Sequence, residues 1–405
     1  MVEEDIKNQE VEVPEPKKRK YGWVGMILLL AVIGLGIFLM FKITELLPGG
    51  GIKEIGSVFS NMDYKYFAIS IALAILIPVL VMVEYGIVSH SLTKKVSPKA
   101  ISKTTFVGKY YDFITPFSTG GQPMQIHTLH KHGYDGATSS AIILIRYSVN
   151  IICWLLVGLG LMIAGFCFGV LNNPELVDGS RTFLLVAGIV GICINLLLPL
   201  SVLTFVVFPR FANGSTKLII KIGAKLHIVK DPVKSYEKAY KTVHDFRMCF
   251  RTISKKPVHF ILLILVSIIE YAITFALPFF VIMSLKQIEW ANIFDVSVLN
   301  VFSTFAVSFI PTPGNAGGME ISSALAFQAV APEVSVYAVL IWRFFTYYIY
   351  ILIGIFISIY DIIKKAVKAG IEKRREKKAK ANEQEDIGSH WCFLSSSWWR
   401  CKSCK

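Results

Sequence analysis

Charge is scarce in this chain. Only 17% of its 405 residues are Asp, Glu, Lys or Arg, where a soluble domain carries roughly a quarter. With 54% hydrophobic residues and a mean hydropathy of +0.57, that shortfall excludes an ordinary water-soluble core. Cysteine is also sparse, and seven residues supply no disulfide framework. Cys153, Cys167 and Cys193 lie in apolar runs and Cys249 in a polar helix, where they read as small apolar side chains. Cys392, Cys401 and Cys404 fall in a tail expected to be cytoplasmic and reduced. No nucleophile elbow, phosphate loop, dinucleotide fingerprint or metal-ligand helix motif occurs, so no cofactor and no metal are expected. The spacing of His390 and the three tail cysteines fits no common zinc finger. His127, His130 and His132 are expected to face lipid headgroups.

The apolar residues are gathered into six runs long enough to cross a hydrocarbon core, which takes about 20 residues. These are Trp23–Phe41, Tyr66–His90, Thr138–Val170, Thr182–Phe208, Val258–Leu285 and Ser335–Ile363. The first ends at Lys42 with no small-residue cleavage site, so it is expected to be a span rather than a leader. The net charge of +14 follows this topology. With the N-terminus cytoplasmic, 35 of the 42 Lys and Arg fall on the cytoplasmic side, 5 outside and 2 within spans. That asymmetry places both termini in the cytoplasm and gives the surplus to anionic headgroups, not to nucleic acid. Residues 1–20 read as a disordered lead, 21–365 as the membrane domain and 366–405 as a basic tail. Within the domain, 209–257 is a basic loop whose helix carries Val233, Tyr236, Tyr240, Val243 and Phe246 on one side. It rests on the protein or on the inner leaflet, or stands as a solvated linker.

One pattern occurs twice. Thr115-Pro-Phe-Ser-Thr-Gly-Gly121 recurs 197 positions later as Thr312-Pro-Gly-Asn-Ala-Gly-Gly318, and the same offset carries Arg146 onto Arg343. A Glu-Tyr pair precedes each copy, at Glu84 and Glu270. Around each break lies an apolar stretch too short to cross twice, Thr104–His132 and Asn292–Pro332, expected to dip into the membrane and return. The expected fold is therefore an all-α polytopic membrane protein: six spanning helices plus two re-entrant hairpins, arranged as an inverted repeat with units 66–170 and 258–363.

Ionisable residues in hydrocarbon cost several kcal/mol and so mark candidate sites. Arg146 and Arg343 lie roughly 12 Å into their runs at 1.5 Å per residue. Glu270 is comparably deep; Glu84 is nearer the cytoplasmic end and within snorkelling range. Asp112 stands in the first hairpin's entering arm, and Glu320 just past the second glycine pair. The candidate substrate-binding set is these six residues with Thr115, Gly120, Gly121, Gln122, Thr312, Gly317 and Gly318. A polar cavity between the units would present guanidinium forks and glycine-turn amides to an anion. The alternative is buried Glu–Arg pairs that only fix helix register.

The segments TPFSTGGQPMQ (Thr115–Gln125) and PTPGNAGGME (Pro311–Glu320) resemble the paired signatures of the lysylphosphatidylglycerol synthase transmembrane region family. That family includes the flippase half of the multiple peptide resistance factor, and the resemblance runs from Trp23 to Lys365. It implies a flippase or translocase of phospholipid or aminoacyl-phospholipid in the bacterial inner membrane, with a second copy of the chain left open as a partner. The alternative is phosphatidylglycerol lysyltransferase activity, which would bring in lysyl-tRNA and cationic-peptide resistance. No segment here has the length of that soluble catalytic domain, so it is not expected.

Overall fold

The computed structural model describes residues 60–207 apart from 175 and 177, residues 251–364, and isolated positions outside those stretches. Every regular element among the described residues is helical. In chain order they are α1 (Tyr64–Thr93), α2 (Pro98–Ile114), α3 (Gly121–Lys131), α4 (Gly136–Cys167), α5 (Asp178–Val207), α6 (Pro257–Leu285), α7 (Asn292–Val307), α8 (Gly318–Phe327) and α9 (Ser335–Arg343). Beyond α9 the chain passes through a π-helical turn, Phe344–Tyr348, into further helix. The chain falls into two compact units, Met1–Leu352 and Ile353–Lys405. The first contains every candidate site residue. Of the second, the continuous described part is the helical run 353–364, with Phe356, Ile359 and Ile363 exposed.

Among the described residues, five helices are long and apolar enough to cross a membrane: Tyr64–Thr93, Gly136–Cys167, Asp178–Leu197, Pro257–Leu285 and Ser335–Lys364. Each coincides with an expected span. The remaining expected span, Trp23–Phe41, lies outside the described residues, as do most of the basic loop and the tail. The helix starts have local causes. Asp63 caps α1 by accepting from the Lys65 amide at 2.9 Å, and Asp135 caps α4 by accepting from Thr138 at 2.9 Å. α2 and α6 open on prolines, Pro98 and Pro257, where the missing N–H costs nothing. That proline starts α2 ahead of the expected Thr104.

Two pairs of short helices fill the expected re-entrant stretches. In α2 and α3, a Cβ on Gly108 would strike Gln125, while Asp112 bonds Gly121. In α7 and α8, the hydroxyls of Ser303 and Ser322 each donate to the other's carbonyl, and Gly318 abuts Val307. Within each pair the contacting positions converge at the same rate along both arms, which is the pattern of an antiparallel hairpin. The two differ in setting. α2 buries one face through Ile101, Thr104, Val107 and Tyr110, whereas α7 is buried almost throughout, from Val296 to Val307.

Close approach makes that burial possible. A Cβ on Gly191 of α5 would lie 1.8 Å from the Phe305 carbonyl oxygen, and one on Gly158 of α4 would lie 2.6 Å from the Phe305 ring. Small residues at helix contacts are the usual means of packing in lipid, where no hydrophobic force draws apolar helices together. Pro278 interrupts the hydrogen-bond ladder of α6, and Asn300 of α7 donates into the broken region, to the Phe275 carbonyl at 3.3 Å. Phe275, Phe279, Phe302, Phe305, Phe327 and Trp342 anchor the core around α7. A smaller core around Val81, Tyr85, Ile101, Leu129 and Ile142 packs the first hairpin.

Candidate functional site

The two hairpin tips share one backbone path. Thr115 and Thr312 are both extended, at φ −110, ψ 144 and φ −92, ψ 149. After the proline, two successive residues enter the left-handed region: Phe117 and Ser118 at φ 55 and 51, Gly314 and Asn315 at φ 57 and 54. Ser118 N donates to Thr115 O at 3.3 Å, and Asn315 N donates to Thr312 O at 3.1 Å. Left-handed backbone suits Gly and Asn and strains Phe and Ser. The tips also touch one another. The Tyr347 hydroxyl lies 3.2 Å from the Pro313 carbonyl and 3.4 Å from the Phe113 carbonyl, so one side chain reaches both hairpins. The Phe113 and Tyr347 rings meet edge-on at 5.0 Å.

The turn amides are already occupied. Gly121 N donates to Asp112 at 2.9 Å and Gly120 N to the Thr115 hydroxyl at 2.9 Å. Gly317 N donates to Glu320 at 2.7 Å. The expectation that these amides stand ready for an anion therefore needs amending: a carboxylate of the chain itself fills that role at each break. The acids come from opposite arms, since Asp112 precedes its glycines and Glu320 follows its own. Thr115 also donates to Tyr111 O at 2.7 Å, whereas the buried hydroxyl of Thr312 has no hydrogen-bond partner. Gln122 is half-buried in the first turn of α3.

Both arginines are buried, Arg146 at 9% exposure and Arg343 at 6%. Arg343 Nε donates to Glu320 at 2.7 Å, its second nitrogen donates to the Gly314 carbonyl at 3.1 Å, and its face lies 4.2 Å from the Tyr347 ring. It thus clamps the second break. Arg146 Nε donates to Glu84 at 2.7 Å, a terminal nitrogen lies 3.6 Å from Glu270, and the Tyr85 ring sits 5.0 Å away. Glu84 also accepts from Ser267, and Glu270 accepts from Asn150 at 3.1 Å. Asn150 in turn accepts from Tyr271. Asp112 lies within electrostatic reach of Arg146 and Lys109, which links this cluster to the first break.

Several of these placements depart from sequence expectation. Glu84 does not snorkel; it is fully buried and holds the shorter contact to Arg146. The two arginines, equivalent by position, are not equivalent in partners: Arg146 faces the glutamates of both Glu-Tyr pairs, and Arg343 faces Glu320 instead. Asn150, Ser267, Tyr85 and Tyr347 complete the clusters without having been candidates. Asn150 stands one helical turn after Arg146 in an apolar run, a spacing that could have flagged it. His130 and His132 engage backbone carbonyls, of Tyr134 at 3.0 Å and Thr128 at 2.7 Å.

Residues 26–354 match the profile of the family described as "Lysylphosphatidylglycerol synthase TM region". A "UPF0104 membrane protein" from Archaeoglobus fulgidus is 24% identical over 357 residues, covering 84% of this chain and 97% of the relative. No solved structure matches the chain.

Proposed function

The chain belongs to the lysylphosphatidylglycerol synthase transmembrane region family, membrane proteins connected with lipid synthesis or translocation, and from that premise we propose that it moves a phospholipid headgroup across the bilayer. The observation that carries this reading is the recurrence, at matching positions in the chain, of a broken hairpin and a buried guanidinium. Intramembrane arginines and interrupted helices in matching positions are the usual marks of a substrate path. The two units run in opposite senses through the cell membrane, with both termini cytoplasmic and the basic loop held against anionic headgroups.

The ion pairs describe the resting arrangement. A guanidinium fork accepts a phosphate as readily as a carboxylate, so an entering headgroup takes the place of Glu320 on Arg343, or of a glutamate on Arg146. The freed carboxylate then repels the anion onward, while the acyl chains stay in lipid. The amides of Gly120, Gly121 and Gly317 are bonded to Thr115, Asp112 and Glu320, contacts that a small shift of either arm exchanges.

Arg146→Lys and Arg343→Lys keep the charge and remove the fork. In proteoliposomes of phosphatidylglycerol and phosphatidylethanolamine, a labelled phosphatidylglycerol tracer should cross at least tenfold more slowly in each variant than in the wild type. Wild-type rates in both would overturn the assignment. The family's name keeps a lysyltransferase reading in view. Lysyl-lipid formation by the purified protein from lysyl-tRNA and phosphatidylglycerol would replace the translocase reading with that one.

A further inference from the structure

The Arg146 cluster holds more carboxylate than cation. Two carboxylates, Glu84 and Glu270, approach the one guanidinium of Arg146, at 2.7 and 3.6 Å. In the second unit the count balances, one Glu320 to one Arg343. Glu84 and Glu270 are at 0% and 3% exposure. A buried ion without a full partner costs several kcal/mol, and such a group neutralises itself in preference to staying charged.

The contacts single out which group does so. Glu84 accepts the short Arg146 Nε–H bond and the Ser267 hydroxyl. Glu270 has only the longer 3.6 Å approach of Arg146 and an amide donor from Asn150. The Tyr85 ring lies 5.0 Å from the same guanidinium. Around Glu270 stand Glu84 from α1, Lys109 from α2, Arg146, Asn150 and Cys153 from α4, Tyr271 of its own helix, and Tyr350. Of the other elements packed on α6, α7 places Asn300 on the Phe275 backbone and α9 buries Tyr337.

We propose that Glu270 is a proton-binding site, carrying a proton at neutral pH and exchanging it as the partners of Arg146 change. The proton comes from water and returns to it, the carboxylate becoming a carboxylic acid and back. Glu270 holds its proton while Arg146 is engaged by Glu84 or by a headgroup phosphate, and releases it when Arg146 turns to Glu270. Coupling of this exchange to lipid movement rests on the translocase reading; the proton site itself does not.

Infrared difference titration of the purified protein in lipid nanodiscs reads the site directly. The wild type should show a carboxylic acid C=O band that persists at neutral pH and disappears in Glu270→Gln. It should also be lost in Glu84→Gln, which keeps the Glu270 carboxyl but removes the surplus charge. Glu270→Asp, a conservative variant, should retain a displaced band. A wild type with no such band, or a band that survives in Glu270→Gln, overturns the assignment. In the vesicles described above, a one-unit pH gradient should shift the final leaflet ratio of the tracer by up to about tenfold in the wild type and leave Glu270→Gln unmoved. A wild-type ratio indifferent to the gradient would refute the coupling. Tracer that never moves, with the band present, removes the translocase reading and leaves the proton site standing.

Discussion

Phe117 and Gly314 occupy the same position in the two tips and the same left-handed backbone, yet they meet it on different terms. Gly314 is required twice over: φ is +57, and a Cβ would lie 2.1 Å from the Tyr347 ring. Phe117 holds φ 55 at 61% exposure and with no glycine to relieve it. Strain of this kind costs on the order of 1–2 kcal/mol for a residue with a Cβ. Gly314→Ala should therefore lower the melting temperature of the purified protein, by the equivalent of about 1–3 kcal/mol. Phe117→Gly should leave it unchanged or raise it, because relief of the strain offsets the added chain entropy. Thermal unfolding in detergent followed by tryptophan fluorescence checks both. A Gly314→Ala protein as stable as the wild type would mean that Tyr347 swings clear at no cost.

At the scale of elements, helix existence was legible and partnership was not. Apolar run length and flanking prolines located all five described spans within a few residues, because lipid leaves the backbone no other way to satisfy itself. Glycine and proline at both breaks marked the hairpins for the same reason. What could not be read was which carboxylate meets which arginine. Position placed Glu84 and Glu270 in equivalent roles, one per unit, but both converge on Arg146 because α1 and α6 pack together along much of their length. That pairing is a property of helix packing, which no local signal carries. Nor did the sequence distinguish a hairpin lying against the bundle from one enclosed by it. The enclosed hairpin yields its own test. Gly191→Ala would place a methyl group on the Phe305 carbonyl, 1.8 Å away. The enforced shift of α7 should cost about 1–3 kcal/mol, whereas the same change at Gly160, where a Cβ meets nothing within 4 Å, should be silent. Equal melting temperatures for the two variants would contradict the packing described.

For the whole molecule, the proposed topology has the two repeats running in opposite senses. It makes an external prediction. Cysteines placed at Lys99 and Lys131, at the open end of the first hairpin, should react with a membrane-impermeant maleimide from one side only. Cysteines at Glu289 and Glu333, at the open end of the second, should react from the other. All four positions are exposed. Labelling of both pairs from the same face, in a background with native cysteines removed, would exclude the inverted arrangement.

The near-complete enclosure of α7 bears on how such a protein is made. A segment walled by α4, α5 and α6 has little outer surface with which to lean on lipid while it waits for neighbours. All three walls precede it in the chain, and its returning arm and the following span are synthesised after it. It can take its place only once helices far apart in sequence have met, which is the slow kind of contact. The step that completes the bundle is thus the seating of a short, water-averse plug late in biogenesis. Variants that loosen its glycine seat should accumulate as chains that have inserted but not closed.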